Sequence, residues 1–260
     1  MLTDARKGVK RRERGRRGRP SYVACGWHAV AAFLKARPDD VEGILATREN
    51  RTQAEYLASD AKVRVETSDP KSLGALSGGA THQGIAALGR PPRFWDLEEV
   101  LATKPDILVV LDGLTDPRNI GAILRTAEAA GAGGVIVAKD RAPGLTPSLV
   151  KAAAGAVEWL PIARVTNLVR SLGTLRSAGI WVIGLDGEAE LNLGEPGAVP
   201  GLPAALVMGA EGEGVRPLMQ KSCDRLVGIP MTGRTESLNV SVAAGIGLWE
   251  LSRLRRGASS

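Results

Sequence analysis

The stretch Ile107-Leu-Val-Val-Leu-Asp112, followed by Asp116-Pro-Arg-Asn-Ile-Gly-Ala-Ile-Leu-Arg125, decides the fold of this chain. The first part is a short apolar run typical of a buried strand, and the second opens an Ala-rich segment typical of a helix. The order is therefore strand, loop and helix start. It places Asn119, Gly121 and Arg125 where an open α/β sheet usually binds its ligand.

Strand and helix patterns alternate from Pro105 onward. The predicted strands are Ile107–Asp112, Gly134–Ala138, Glu158–Pro161, Trp181–Asp186, Ala204–Met208 and Arg225–Ile229. The predicted helices are Asn119–Ala130, Pro147–Ala153, Val165–Ser177 and Ser237–Arg255. Short buried strands that alternate with helices predict an α/β domain over residues 105–260, built on a mostly parallel sheet with helices on both faces.

Three further segments precede this domain. Residues 21–89 are typical of a compact small α/β domain, and residues 1–20 form a basic tail. Gly89-Arg-Pro-Pro-Arg93 indicates a stiff break, so residues 90–104 are predicted to be a linker. In the small domain we expect helices at Ala29–Leu34, Arg51–Ala58 and Asp69–Leu76, the last capped by Asp69 or Ser68, and strands at Gly43–Thr47 and Val63–Val65.

The positive charge of the chain is concentrated in its tail. The whole sequence carries +6, whereas residues 1–19 hold nine Lys or Arg against two acids, so the tail is +7 and the remainder is −1. The tail has few large apolar residues and cannot bury enough surface to order itself. It suits a polyanion partner, and the alternative is a solvated leader without a specific role.

Composition excludes several classes of protein. No apolar run reaches about 18 residues, so we expect no membrane span. The basic N-terminus lacks an apolar h-region and does not read as a secretory signal. Cys25 and Cys223 are the only cysteines and lie far apart, so we expect neither a metal site nor a disulfide framework. A reducing cytoplasm fits this cysteine usage.

Two later loops also follow predicted strands and carry unusual polar groups. They are Gly209-Ala-Glu-Gly-Glu-Gly214 and Ile229-Pro-Met-Thr-Gly-Arg-Thr-Glu-Ser-Leu-Asn239. Glycines suit an irregular backbone path beside a ligand, although an acidic turn would also explain the first of these loops. Ser237 is a candidate cap of the last helix, with Asn239 as its second residue. Three such loops on one domain indicate a single site assembled from separate segments.

The spacing of Gly121 and Arg125 and the positions of the histidines limit the reactions that this chain is expected to catalyse. Gly121 and Arg125 share a helix face, so the glycine allows a close approach and the arginine projects past it, unless Arg125 pairs with Glu128. The strand–helix turn lacks Gly-x-Gly-x-x-Gly, which disfavours a nucleotide-dependent oxidoreductase. The only histidines, His28 and His82, lie in the small domain, and no histidine of the α/β domain can act. Cys223 is predicted to be a packed residue rather than a nucleophile.

The three loops resemble the three motifs of the SpoU (TrmH-type) RNA ribose 2′-O-methyltransferases of the SPOUT superfamily. The matching segments are Asn119-x-Gly121-x-x-x-Arg125, Met208-Gly-Ala-Glu-Gly-Glu-Gly214 and Ile229-Pro-Met…Glu236-Ser-Leu-Asn-Val-Ser241. Gly26-Trp-His-Ala-Val30 and Gly79-Ala-Thr-His-Gln-Gly84 resemble the ends of the L30e-like substrate-binding domain of the branch that methylates a guanosine of bacterial 23S rRNA.

The resemblance implies a trefoil-knotted α/β domain, a small L30e-like domain and a homodimer. It further implies S-adenosylmethionine as the methyl donor and a ribose 2′-oxygen of 23S rRNA, or of its precursor particle, as the acceptor. The implied cofactor positions are Gly209, Ile229, Met231 and Leu238. The implied catalytic positions are Asn119, Arg125, Glu211, Ser237 and Asn239. RNA contacts are expected from His28, His82, Arg11, Arg12, Arg16 and Arg17, and a structural role for the histidines stays open.

A mechanism follows from the chemistry of these side chains. The 2′-hydroxyl is a weak nucleophile, and an arginine is essentially always protonated. We therefore expect Arg125 to stabilise the forming alkoxide and to grip a phosphate rather than to act as a base. The alternatives are a tRNA ribose methyltransferase, an antibiotic-resistance methylase that shares the motifs, and a non-catalytic RNA-binding or ribosome-assembly protein that has kept the fold.

Overall fold

The computed structural model describes residues 22–140, 142–212 and 214–258. The four tail arginines predicted to bind RNA lie outside the described residues, so their role stays a prediction. The described chain forms two β-sheets, each with its own helices.

The smaller sheet has four strands in the order β1-β4-β2-β3. Its elements are β1 (Tyr22–Cys25), α1 (Trp27–Ala36), β2 (Val41–Ala46), α2 (Arg51–Ala58), β3 (Val65–Thr67), α3 (Pro70–Leu76) and β4 (Ile85–Gly89). β4 is antiparallel to both of its neighbours, whereas β2 and β3 are parallel. The α2 helix has its predicted bounds, and Asp69 caps α3 by accepting a hydrogen bond from the Ser72 amide, as predicted.

The larger sheet has six strands, all parallel, in the order β10-β8-β9-β5-β6-β7. The strands are β5 (Ile107–Leu111), β6 (Gly134–Ala138), β7 (Ile162–Val165), β8 (Trp181–Leu185), β9 (Ala204–Met208) and β10 (Arg225–Val227). The helices are α4 (Leu97–Ala102), α5 (Pro117–Ala129), α6 (Pro147–Ala153), α7 (Leu168–Ser177), α8 (Pro217–Gln220) and α9 (Val240–Ala258). The predicted parallel sheet is confirmed.

Both faces of the larger sheet are covered. In β5, Ile107 and Val109 belong to a core shared with α5, α6 and α9, whereas Leu108 and Val110 belong to a core shared with α4, α7 and α8. Every residue of β5 is therefore buried, and the strand is a continuous apolar run rather than an alternating one. The predicted two-sided layer of helices is confirmed.

The segment predicted to be a linker packs on the larger sheet. Trp95 donates its backbone N–H to the Ile162 carbonyl at 2.9 Å and accepts from the Arg164 amide at 3.4 Å, beside β7. Helix α4 follows within the segment, and Leu97 and Val100 are buried in the core of the sheet. The predicted domain boundaries stay predictions, but the connection between the two sheets is held along much of its length.

One predicted strand is wrong. Residues 158–161 do not form a strand, because Ala156–Glu158 is a 3-10 turn and β7 begins at Ile162. Pro161 has no N–H to donate to a ladder, which disfavours a strand that runs through it. The following helix starts at Leu168 rather than Val165, with Asn167 accepting a hydrogen bond from the Arg170 amide.

A buried ion pair joins the two sheets. Arg37 on α1 donates through Nε at 2.9 Å and Nη2 at 2.7 Å to Glu158, whose side chain is fully buried before β7. The Tyr22 hydroxyl donates to the same carboxylate at 2.5 Å. Burial and the neighbouring Glu158 raise the pKa of Tyr22 well above its usual value, which keeps the hydroxyl a donor. These contacts fix the small domain against the larger one.

Candidate active site

All three predicted site loops lie at one edge of the larger sheet, because the carboxyl ends of its parallel strands share that edge. The first loop (Asp112–Asp116) follows β5, the second (Gly209–Gly214) follows β9 and the third (Ile229–Leu238) follows β10. β9 lies on one side of β5 and β6 on the other, so the strand order reverses beside β5. Open α/β sheets bind ligands at such a switch point.

A chain of hydrogen bonds joins the three motifs there. Asn239 donates through Nδ2 to Oδ1 of Asn119 at 3.1 Å. Asn119 in turn donates through Nδ2 to Oε1 of Glu211 in a close contact. Side chains from the start of α9, the first turn of α5 and the second loop thus meet, although 120 and 92 residues separate Asn119 from its two partners in sequence.

Contacts at the start of α9 determine which atom of Asn239 donates and which accepts in this series of hydrogen bonds. Oδ1 of Asn239 accepts from the Ser241 amide at 2.9 Å and from the Ser241 hydroxyl at 2.6 Å. That oxygen is therefore engaged, and Nδ2 of Asn239 is left to donate to Asn119. Asn119 then donates through its own Nδ2 to the carboxylate of Glu211. The side-chain amides of Asn239 and Asn119 are therefore each fixed in a single orientation.

This geometry corrects the predicted cap of the last helix. Helix α9 begins at Val240, and Asn239, not Ser237, provides the capping side chain. Asn239 is consequently outside the helix rather than its second residue. Ser237 is exposed in the third loop, and its side chain makes no hydrogen bond within the described residues.

Arg125 is exposed on α5 and stands apart from the hydrogen-bonded chain. Its side chain makes no hydrogen bond or ion pair with any residue that the structure describes, so the alternative pairing with Glu128 is not observed. Gly121 faces a neighbouring helix rather than open space. A Cβ there would lie 2.5 Å from the Leu149 carbonyl and 2.6 Å from the Ala152 Cβ. The close approach that Gly121 allows is therefore that of α6.

The second loop folds tightly on itself. Ala210 and Gly214 exchange two backbone hydrogen bonds of 3.0 Å. A Cβ on Gly209 would lie 2.0 Å from the backbone of Gly214 and 2.2 Å from the Val215 nitrogen, so only glycine fits. Gly214 has φ of +66°, which also favours glycine. Glu213 lies outside the described residues.

An ion pair that was not predicted ties the first loop to the second. Asp112, fully buried at the end of β5, accepts from Arg216 at 2.9 Å through Nε and in a second, closer contact through Nη2. The hydrogen bond to Asp112 raises the pKa of Arg216. The sequence indicated that Asp112 has a partner, since an acid that ends a buried strand needs one. It did not show which of many arginines that partner is.

The third loop makes no such internal contacts. Among the described residues, no backbone N–H or C=O between Ile229 and Leu238 has a hydrogen-bond partner. Ile229 and Leu238 are half-buried, whereas Met231 is exposed. The loop therefore offers unpaired backbone donors and acceptors next to apolar side chains, beside the sheet edge that holds Gly209.

Other candidate residues lie away from this edge. His82 accepts a hydrogen bond from the Gly84 amide at 2.9 Å and stabilises its own turn, whereas His28 is exposed at the start of α1. Burial and the nearby Asp224 raise the pKa of Cys223 to about 12, so the thiol is a poor nucleophile, as predicted. Within residues 22–140, 142–212 and 214–258 there is no metal-binding group of three or more side chains, and no helix is long and apolar enough to cross a membrane.

Comparisons with known proteins agree with this geometry. A model of the SpoU rRNA Methylase family matches residues 106–249, and a model described as RNA 2′-O ribose methyltransferase substrate binding matches residues 23–95. The SpoU methyltransferase AviRb from Streptomyces viridochromogenes, crystallised with the cofactor AdoMet, has a TM-score of 0.75 and 27% identity, with 90% of each chain covered.

Curated relatives are more similar in sequence. A protein of Ralstonia nicotianae named 23S rRNA (guanosine-2′-O-)-methyltransferase RlmB is 45% identical over 242 residues, which cover 90% of this chain and 96% of the relative. The protein of the same name from Escherichia coli K12 is 43% identical over 243 residues, which cover 90% and 99%. The resemblance predicted from the three loops is confirmed, and this chain belongs to the SpoU rRNA methylase family.

Proposed function

We propose that this protein transfers a methyl group from S-adenosylmethionine to the ribose 2′-oxygen of a guanosine in 23S rRNA. The observation that carries the proposal is the hydrogen-bonded chain of Asn239, Asn119 and Glu211 at the carboxyl edge of the sheet. Arg125, on the same helix as Asn119, pairs with no residue that the structure describes. Relatives that cover 90% of the chain bear the name of this activity.

The residues at the sheet edge fit the cofactor. Gly209 allows the second loop to fold back closely on itself beside the sheet edge, and the third loop offers unpaired backbone groups for a purine. Half-buried Ile229 and Leu238, with the exposed Met231, supply apolar contact. When bound, S-adenosylmethionine supplies a methyl group on a sulfonium centre to an attacking nucleophile.

Arg125 supplies the positive charge that the nucleophile needs. Its guanidinium engages no described acid, so it is available to an incoming phosphate and to a developing alkoxide. Donors aimed at the oxygen where charge develops lower the barrier most in a site that excludes water. A base role would require a deprotonated guanidinium, and arginine side chains essentially never lose their proton in proteins.

The chain from Asn239 to Glu211 positions the site and offers an acceptor. Asn119 is held from both sides, which fixes the first turn of α5 relative to the second loop. Glu211 is exposed and accepts from Asn119 through one oxygen, so its other oxygen remains for a water that carries the ribose proton away. Ser237, exposed and bonded to no residue that the structure describes, contributes a hydroxyl that orients the ribose.

The homodimer is assigned to the outer face of α9. Val242, Ile246 and Trp249 are spaced by four and three residues and are 50%, 37% and 65% exposed, so they form an apolar stripe. A stripe of this kind marks a protein interface. Because Asn239 directly precedes α9, the partner would lie next to the site. Ile246→Glu should yield monomers in light scattering, and an unchanged mass would refute the assignment.

The substrate and its compartment complete the proposal. The 23S rRNA or its precursor particle would be met in the cytoplasm, with Arg11, Arg12, Arg16 and Arg17 of the tail anchoring RNA without sequence preference. His28, exposed on the small domain, is available to the same RNA. A tRNA substrate is disfavoured because the match extends through the substrate-binding segment 23–95.

Methyl transfer from labelled S-adenosylmethionine tests the proposal. The acceptors are total rRNA and tRNA from cells that lack the modification, and the labelled nucleotide is then mapped. The wild type is compared with Arg125→Ala, Arg125→Lys and, as a matched control, Arg170→Lys, an exposed arginine on α7. We expect label on one 23S guanosine, a loss on the order of 100-fold in both Arg125 variants and no change in the control.

Each other outcome has a definite meaning. Label on tRNA would retain the chemistry and refute the substrate. Near-normal turnover of Arg125→Lys would show that charge alone suffices and that the fork geometry of arginine is not used. Absence of label on both RNAs and on precursor particles, together with no binding of S-adenosylmethionine, would favour the non-catalytic RNA-binding protein.

A further inference from the structure

A second candidate site lies at the junction of the two sheets, away from the hydrogen-bonded chain. A cleft of about 530 Å³ is lined by Arg90 to Trp95 of the connection and by Trp159 of the turn before β7. Arg37 and Glu158, the ion pair between the sheets, form part of its floor. Its volume lies in the range of pockets that hold a small organic group.

Aromatic residues are concentrated in this cleft. The whole chain has only nine, and Phe94, Trp95 and Trp159 line it. Arg93 covers the ring of Trp95 at 4.1 Å and Arg164 covers that of Phe94 at 4.7 Å. Trp159 is 48% exposed, and its ring stacks on no ring or cation among the described residues. One large flat surface in the cleft is therefore open.

The rim of the cleft carries two exposed arginines whose ion-pair partners another anion can replace. The side chains of Arg90 and Arg93 are 64% and 59% exposed, and Pro91 and Pro92 between them stiffen the segment that presents them. Their ion pairs, with Asp40 and Glu99, are surface pairs of low net strength that a stronger anion can replace. Arg37, in contrast, is engaged with the buried Glu158 and is not available.

We propose that this cleft binds an unpaired nucleotide of the substrate RNA, with the base stacked on Trp159 and the flanking phosphates on Arg90 and Arg93. Stacking platforms combined with cations are how proteins hold single-stranded RNA. The proposal rests on the proposed function, since it takes RNA as the substrate. It adds a contact that both domains build, because Arg90 and Arg93 end the substrate-binding match and Trp159 lies in the methylase match.

The position of the cleft indicates whether it acts in RNA binding or in the chemical step. Trp159 precedes β7, so the cleft lies at the amino end of that strand, whereas the hydrogen-bonded chain lies at the carboxyl edge. A nucleotide bound there cannot be the one that is methylated at that edge. The cleft should therefore set the affinity and register of the RNA and leave the chemical step unchanged.

The test compares Trp159→Ala, Trp159→Phe and the double variant Arg90→Ala/Arg93→Ala with matched controls elsewhere on the surface. The controls are Trp181→Ala, at a residue that is 40% exposed at the start of β8, and Arg170→Ala/Arg225→Ala. Binding of in vitro transcribed 23S rRNA is measured by filter retention without cofactor and over a range of salt. Methyl transfer then gives kcat and KM, and thermal unfolding checks the fold.

We expect Trp159→Ala to weaken RNA binding and to raise the KM for RNA by about tenfold, with kcat unchanged and with most of the loss restored in Trp159→Phe. The double arginine variant should weaken binding and lower the salt slope by about 1.4, for two phosphate contacts on a single strand. The arginine control should change the slope by less, and Trp181→Ala should bind as the wild type does.

Three results would overturn the cleft as an RNA site. The first is RNA affinity in Trp159→Ala equal to that of Trp181→Ala. The second is an equal loss in both arginine pairs, which would indicate charge without a specific site. The third is normal binding of RNA with weakened binding of precursor particles, which would assign the cleft to a ribosomal protein. Because binding is measured without turnover, a wild type that binds rRNA but does not methylate it would refute the proposed function and leave this test intact.

Discussion

The second and third loops lie at the same edge of the same sheet, yet they are built in opposite ways. Ala210 and Gly214 of the second loop bond to each other, and Arg216 just after it clamps the buried Asp112. The third loop, in the part of the chain that is described, satisfies none of its own backbone groups between Ile229 and Leu238.

This difference suits the two loops to different roles. The second loop provides a rigid scaffold, and the third loop provides a binding surface. A loop that pairs its own polar groups holds one geometry before any ligand arrives, and here it presents Glu211 to Asn119. A loop that leaves its backbone groups unpaired and exposed, as the third loop does, has them hydrated and available to a ligand. We infer that the second loop aligns the reacting groups and that the third loop receives the cofactor.

Breaking the clamp of the second loop should have the largest effect. Arg216→Ala leaves Asp112 charged and fully buried without a partner, and we expect the free energy of unfolding to fall by about 3–5 kcal/mol in urea titrations. Asp112→Asn should cost about 1–2 kcal/mol, since the Arg216 side chain, 39% exposed, can turn to water. Arg118→Ala, which breaks a surface pair, serves as the control and should cost less than about 1 kcal/mol. Equal losses in all three would refute the clamp.

A glycine exchange in each loop compares them directly. Gly209→Ala forces a Cβ into the backbone of Gly214, so the second loop must shift, and kcat should fall on the order of 100-fold. Gly233→Ala in the third loop meets nothing within 4 Å and should keep its activity. Steady-state methyl transfer measures both. A fully active Gly209→Ala would mean that the loop does not align the site.

Hydrogen exchange should sharpen the contrast. In the free protein the amides of Ala210 and Gly214 should exchange slowly, because they are bonded, and those of the third loop should exchange fast. S-adenosylmethionine at 100 times its Kd should slow exchange in the third loop by up to about 100-fold and change the second loop little. Protection in the second loop alone, read by mass spectrometry, would reverse the assignment of the two loops.

The smallest expected effect concerns the start of α9. Ser241→Ala removes one of two hydrogen bonds that orient Asn239, and the amide of residue 241 keeps the other. We expect a loss of about 1 kcal/mol, which is about fivefold in kcat. Ser222→Ala removes a hydroxyl that donates to the Leu218 carbonyl, away from the site, and should leave kcat unchanged. A wild-type rate in Ser241→Ala would show that the backbone amide suffices.

Local patterns in the sequence predicted most of the larger sheet. The apolar runs at Ile107, Gly134 and Ala204 identify strands, because burial on both faces leaves no polar position in them. Strands β1 and β4 were not predicted as strands, since Ile85-Ala-Ala-Leu-Gly89 is rich in residues with low β propensity. The turn before β7 was read as a strand, because the buried partner that holds Glu158 in place, Arg37, lies 121 residues away.

The site was predicted by its residue types but not by its contacts. Asn119, Glu211 and Asn239 were expected to act together, and the structure joins them. The order of the strands, which brings β9 beside β5, is a property of the whole sheet, and no local pattern encodes it. For the same reason Arg216 could not be selected from the sequence. The catalytic and cofactor roles of the site residues stay predictions.

The backbone contacts of Trp95 have a consequence for solubility. β7 is an edge strand of the larger sheet, and a free edge is a template on which another chain can add a strand and aggregate. Trp95 pairs with Ala163 and occupies that edge where β7 begins, while the opposite edge strand, β10, has only three residues. The connection between the two sheets thus also guards the protein against intermolecular strand pairing.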